Sequence, residues 1–104
     1  MRRWNQALAA FEYALTLQPD STDARYNLAL ALRAANYPQD AANELLRILN
    51  EKPGEIRAHL SLANAYAQQL NQPKLAREHY LKVLGSEPQH AQAPQIRYWL
   101  GVNP

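Results

Sequence analysis

Three histidines, His59, His79 and His90, are the only side chains of this 104-residue sequence whose ordinary proton affinity falls near neutrality, so acid–base or metal chemistry would have to start with them. None belongs to an H-E-x-x-H pair, the spacing that sets two imidazoles on one helical face beside a carboxylate base. Glu78 and His79 are adjacent, but neighbours on a helix diverge by about 100° and do not converge on one substrate atom. There is no cysteine, which excludes a disulfide framework, a thiol nucleophile and a zinc–thiolate site. Gly54, Gly85 and Gly101 stand alone, so no glycine-rich loop is present to cradle a phosphate. No catalytic residue, metal ligand or cofactor is therefore assigned, and the histidines are expected as polar or half-buried packing.

Charge narrows the partners. Eleven Lys and Arg against nine Asp and Glu leave a net charge of +2. Apart from Arg2-Arg3 the basic residues are dispersed singly among acids, so no block can neutralise many phosphates and no nucleic-acid partner is expected. No apolar run approaches the roughly twenty residues of a membrane span. Met1-Arg2-Arg3-Trp4 lacks the hydrophobic stretch of a signal peptide, although a targeting or anchor segment is open upstream in a longer parent chain. A chain without cysteine suits cytoplasm or periplasm equally, which leaves the location undecided.

The elements that position any site must be helices. Alanine and leucine together supply 34 residues, whereas Val, Ile and Thr supply seven, so little of the stiff branching that favours strands is present. Pro19, Pro53 and Pro88 each close an apolar segment, at spacings of 34 and 35. Ala7, Ala41 and Ala76 keep the same steps, and Leu28-Ala29 recurs as Leu62-Ala63. A fixed period of this length signals a solenoid in which each unit buries its face against a neighbour. Asn36-Tyr37-Pro38 and Asn71-Gln72-Pro73 are one punctuation used twice: asparagine tolerates the left-handed cap of one helix, and proline suits the first turn of the next. Helices are predicted over 3–18, 22–35, 38–51, 55–70, 73–86 and 91–100. Tyr66 to Asn71 is one step longer than Leu32 to Asn36, and the added residue is expected in the last turn of the helix ending at Leu70. Ala93, Ile96, Trp99 and Leu100 share one side of the final helix, with Gly101 and Pro104 ending it.

These residues resemble the tetratricopeptide repeat (TPR) family, whose motif places small residues where two helices touch and a proline at the close. Leu28, Ala29, Leu32, Ala41, Leu45, Ile48 and Pro53 match one repeat, and Leu62, Ala63, Tyr66, Ala76, Tyr80, Val83 and Pro88 match another. Ala7, Phe11, Ala14 and Pro19 match only a second half, while Arg25 and His59 stand where the motif often has tryptophan. The resemblance implies an all-α, right-handed α-solenoid of antiparallel hairpins. It forms one domain over 1–104: half a repeat (3–21), a full repeat (22–55), a full repeat with a one-residue insertion (56–90), and a capping helix and tail (91–104). Beginning in mid-motif is expected of a C-terminal piece of a larger scaffold or assembly protein.

The resemblance also implies a function. In such proteins the first helices line a concave groove that binds a peptide or protein segment without catalysis. The matching positions here are Asp23, Tyr26, Asn27, Leu30 and Arg33, then Arg57, Leu60, Ser61, Asn64 and Gln68. Tyr26, Leu30 and Leu60 suit apolar side chains, Asn27 and Asn64 a peptide backbone, and Arg33 or Arg57 an acidic group. The family's clamp for chaperone C-terminal carboxylates is incomplete: Asn27 and Arg57 fall on clamp positions, but Ser61 replaces an arginine. An RNA-binding repeat of similar period is disfavoured because the groove positions hold Asp23, Leu30 and Leu60 rather than recurring polar pairs on a basic surface. On the first helix Trp4, Leu8, Phe11 and Leu15 belong to an apolar face too wide for one neighbour. That face is the candidate for self-association, or for a purely structural role in a longer stack.

Overall fold

The computed structural model describes residues 2–104, with side chains from Asn5 onward. Its elements are α1 (Arg2–Leu17), α2 (Thr22–Ala34), α3 (Pro38–Glu51), α4 (Ile56–Gln68), α5 (Pro73–Ser86) and α6 (Ala93–Val102), with no strand among the described residues. Each helix packs on the next in chain order, and α2 also meets α4. The result is an all-α solenoid of 40 × 28 × 21 Å.

Local signals set the helix ends. The Ser21 hydroxyl accepts from the Ala24 amide at 3.1 Å and caps α2, whose first turn carries Asp23. Pro38 and Pro73 open α3 and α5, where a missing amide costs nothing. Asn36 and Asn71 are the two non-glycine residues at positive φ among the described residues, 69° and 51°. At Asn36 the Tyr37 amide donates to the Leu32 carbonyl and the Asn36 amide to that of Arg33, the paired bonds of a left-handed helix stop.

The equivalent stop after α4 absorbs the added residue differently from the sequence expectation. Both α2 and α4 have 13 residues, and α4 ends at Gln68 rather than Leu70. The turn takes the extra residue: the Leu70 amide reaches back to Ala65, and the Gln72 amide to Tyr66, one residue further than Tyr37 reaches to Leu32. Widening a loop leaves every side chain of α4 in register, whereas lengthening the helix would rotate its exit by about 100°. A second difference lies at α6, which begins at Ala93 and runs through Gly101 to Val102. One glycine costs a helix only about 1 kcal/mol, and the Asn103 side-chain amide donates to the Trp99 carbonyl at 3.0 Å beyond it.

Small residues sit where the helices meet. Ala29, Ala41, Ala58, Ala63 and Ala76 are fully buried, and Leu45, Leu62 and Val83 fill the space between them. Each buried leucine contributes about 2 kcal/mol by leaving water, so these positions carry much of the stability. Ala93 and Ile96 of α6 are buried, and the Trp99 ring lies 5.1 Å from that of Tyr80 on α5. The first hairpin is further tied by Arg25 of α2, which donates to Glu44 of α3 at 2.6 Å and to the Pro19 carbonyl at 3.2 Å.

Candidate binding groove

The expected groove residues lie on α2 and α4, two helices that meet in the stack. Tyr26 and Leu60 are half-buried against the core and exposed on their outer edges. Together with Ile56 they form the apolar wall of a depression of about 670 Å³. Its rim is charged. Lys52 and Glu55 come from the α3–α4 loop, and Glu87, His90 and Gln92 from the α5–α6 connection. These rim residues were not expected, yet Lys52 and Glu87 stand just before Pro53 and Pro88, so the repeat spacing marks both loops.

Arg57 is engaged within the chain and not free for a ligand's acid, contrary to the role expected of it. Its guanidinium donates to Asp23 at 2.9 Å and to Glu55 at 3.1 Å, and stands 4.9 Å from the centre of the Tyr26 ring. The hydrogen bond from Arg57 holds the Glu55 carboxyl below its ordinary range, offset in part by burial. The Arg57–Asp23 pair is open to water, and such pairs contribute at most about 1 kcal/mol. Its effect is to fix the Tyr26 edge of the groove.

Arg33, at the other end of α2, is the expected groove cation that pairs with no carboxylate among the described residues. It donates to Gln68 at the end of α4 at 3.2 Å and to Gln69 just beyond it at 2.9 Å, and the Gln69 side-chain amide returns a bond to the Arg33 carbonyl. Both partners are neutral amides. Partial burial lowers its proton affinity, and Tyr80 and Tyr26 oppose that change. Leu30, Arg33, Gln68 and Gln69 line a second depression of about 380 Å³.

Two other groove expectations are corrected. Ser61 is only 4% exposed, and its hydroxyl has no hydrogen-bond partner. It packs inside and is not offered to a ligand. Asn64 is half-buried and its side-chain oxygen accepts from the Tyr80 hydroxyl, so it holds α5 in place instead of meeting a peptide backbone. Asn27 and Leu30, by contrast, are exposed.

The first-helix face also shifts. Leu8 is 9% exposed and belongs to the core, while Phe11 and Leu15 are half-buried against it. Among the described side chains of α1, the exposed large apolar residues are Tyr13 and Leu17, both 65% exposed. The Trp4 side chain lies outside the described residues. His59 is buried and His79 half-buried, and their Nδ1 atoms lie 2.9 Å apart. His90 sits on the groove rim.

Residues 1–64 match the family model described as tetratricopeptide repeat. The chain belongs to the tetratricopeptide repeat family. A TPR repeat-containing thioredoxin of Arabidopsis thaliana is 34% identical over 92 residues, which is 88% of this chain and 13% of that relative. The chain thus spans about an eighth of the relative's length, and lacks any cysteine for thiol redox chemistry of its own. TPR repeats are a non-catalytic family that mediates protein–protein interaction. Of the positions compared with the family's chaperone-carboxylate clamp, Arg57 is paired with Asp23 and Glu55, and Ser61 is buried.

Proposed function

We propose that this chain is a TPR interaction module that holds a peptide or protein segment in the groove of α2 and α4. The observation that carries the reading is the Arg33 site: a cation with only amide partners, beside exposed Leu30 and in line with Tyr26 and Leu60 on the same inner surface. An acidic side chain meets Arg33, Asn27 bonds the peptide backbone, and an apolar side chain enters the depression between Tyr26 and Leu60. Recognition is by shape and a few placed polar groups, and no bond is made or broken. Two inner helices offer less area than the roughly 800 Å² per partner of a standard interface, so affinity should rest on these anchors.

Panning a random peptide library on the chain, then testing recovered peptides against a Leu30→Glu, Arg33→Ala variant, checks this. Selection of acidic–apolar sequences that the variant no longer retains supports the reading, and equal retention by both contradicts it.

A second reading rests on Tyr13 and Leu17, whose exposure leaves an apolar strip on α1 suited to another helix. Self-association through that strip gives a mass that rises with concentration in light scattering and is lost in Leu17→Glu. A mass fixed at 11.8 kDa excludes it.

A further inference from the structure

Adding 34 to Arg25 gives His59, and adding 35 to Glu44, across the inserted turn residue, gives His79. The two pairs are therefore the same position in successive hairpins. Their bonds correspond as well. Arg25 contacts Glu44 and the Pro19 carbonyl, while His59 contacts His79 Nδ1 at 2.9 Å and the Pro53 carbonyl at 2.7 Å, with Pro53 itself 34 residues after Pro19. One hairpin is tied by opposite charges and the other by two imidazoles.

We propose that His59 and His79 form an acid-sensitive latch that fastens the α3–α4 loop to the second hairpin at neutral pH and releases it on acidification.

The bonding leaves one arrangement of protons for the neutral pair. A carbonyl only accepts, so His59 must donate to Pro53 through Nε2–H and present a bare Nδ1. His79 must then donate through Nδ1–H. A first added proton fits on His79 Nε2 and keeps the contact. A second would put hydrogens on both facing nitrogens, and the like-charged rings would separate. The opened hairpin accepts two protons where the closed one accepts at most one, so well below the ordinary histidine value each pH unit favours opening by at least about tenfold.

The surroundings point the same way. Burial, and after it the neighbouring His59, lowers the proton affinity of His79; Lys82 adds to this and Glu78 opposes it, both on the same helix as His79. From α4, Tyr66 stacks on His79 with centroids 5.9 Å apart, and the α3–α4 loop faces His59 with the Pro53 carbonyl. Gly54 and Glu55, which follow Pro53, line the larger depression, so release of the latch loosens one wall of the groove. The latch opens whether or not the groove is occupied.

Two measurements test it. Urea unfolding at pH 7.5 and pH 5 compares the chain with a His59→Arg, His79→Glu variant, which carries the first hairpin's pair in the second. The unmodified chain should lose more of its midpoint on acidification than the variant, and equal losses overturn the proposal. Imidazole NMR on the unmodified chain needs no variant to fold. It should show Nε2–H at His59, Nδ1–H at His79, a His79 midpoint below 6.5, and Gly54 and Glu55 amide signals that hold through that first step and move as the pair takes up its second proton. The opposite tautomers, a midpoint at or above the ordinary value, or unmoved amides would overturn it.

Discussion

Arg33 of α2 and Gln69, the residue that caps the C-terminal end of α4, are joined twice, by a guanidinium bond of 2.9 Å to the amide oxygen and by a return bond of 3.2 Å to the Arg33 carbonyl. The contact positions a cation without neutralising it, which is the property a site for an acidic group needs. The contact bridges α2 to the C-terminal end of α4, away from Arg57.

Removing that cation should separate binding from folding. Arg33→Ala should weaken a selected acidic peptide by about tenfold, the loss of one charge-assisted bond of about 1.5 kcal/mol. Its unfolding midpoint should hardly change, because the lost partners are exposed glutamines. Titration by fluorescence anisotropy beside urea unfolding reads both quantities.

Much of the fold was legible because the repeat writes it several times. Pro38 and Pro73 mark helix starts and Asn36 and Asn71 mark stops, each by a physical constraint on φ. The Asp23–Arg57 pair was also within reach: the residues are 34 apart, so stacking sets them side by side, and opposite charges at that spacing forecast a bond. Ser61 was not. Asn27, one period earlier, is exposed, so position within the repeat does not decide burial near the end of the stack. Leu8 was misread because the angular width of an apolar face does not say which part of it the single neighbour covers.

Ser61→Ala should be neutral or stabilising by up to about 1 kcal/mol. The hydroxyl is buried without a partner, so deleting it removes a desolvation cost and no bond. Thermal unfolding followed by circular dichroism decides the point, and a melting temperature lower by several degrees would show that the hydroxyl has a partner.

Asn36→Ala and Asn71→Ala should each cost about 1 kcal/mol, because alanine pays for a left-handed backbone that asparagine tolerates. Glycine at either position should cost little or stabilise slightly. Urea midpoints for the four variants, ranked Gly at or above Asn and Asn above Ala, check the role of these turns.

Acid should weaken the groove edge in a defined window. Because Arg57 lowers the Glu55 carboxyl below 4.5, the folded chain binds fewer protons there than the unfolded chain as pH falls through that value. The stability contributed is thus complete above 4.5 and is lost as pH drops through the folded value. Arg57→Gln should flatten this part of the stability–pH curve, measured by unfolding between pH 6 and pH 3.

Nitrogen–proton NMR mapping of a peptide selected on the chain tests groove binding most directly. Shifts clustered at Tyr26, Asn27, Leu30 and Arg33 of α2 and at Leu60 and Gln68 of α4 are the expected result. Shifts clustered instead on α1, or on the outer faces of α3 and α5 with α2 and α4 unmoved, would contradict it.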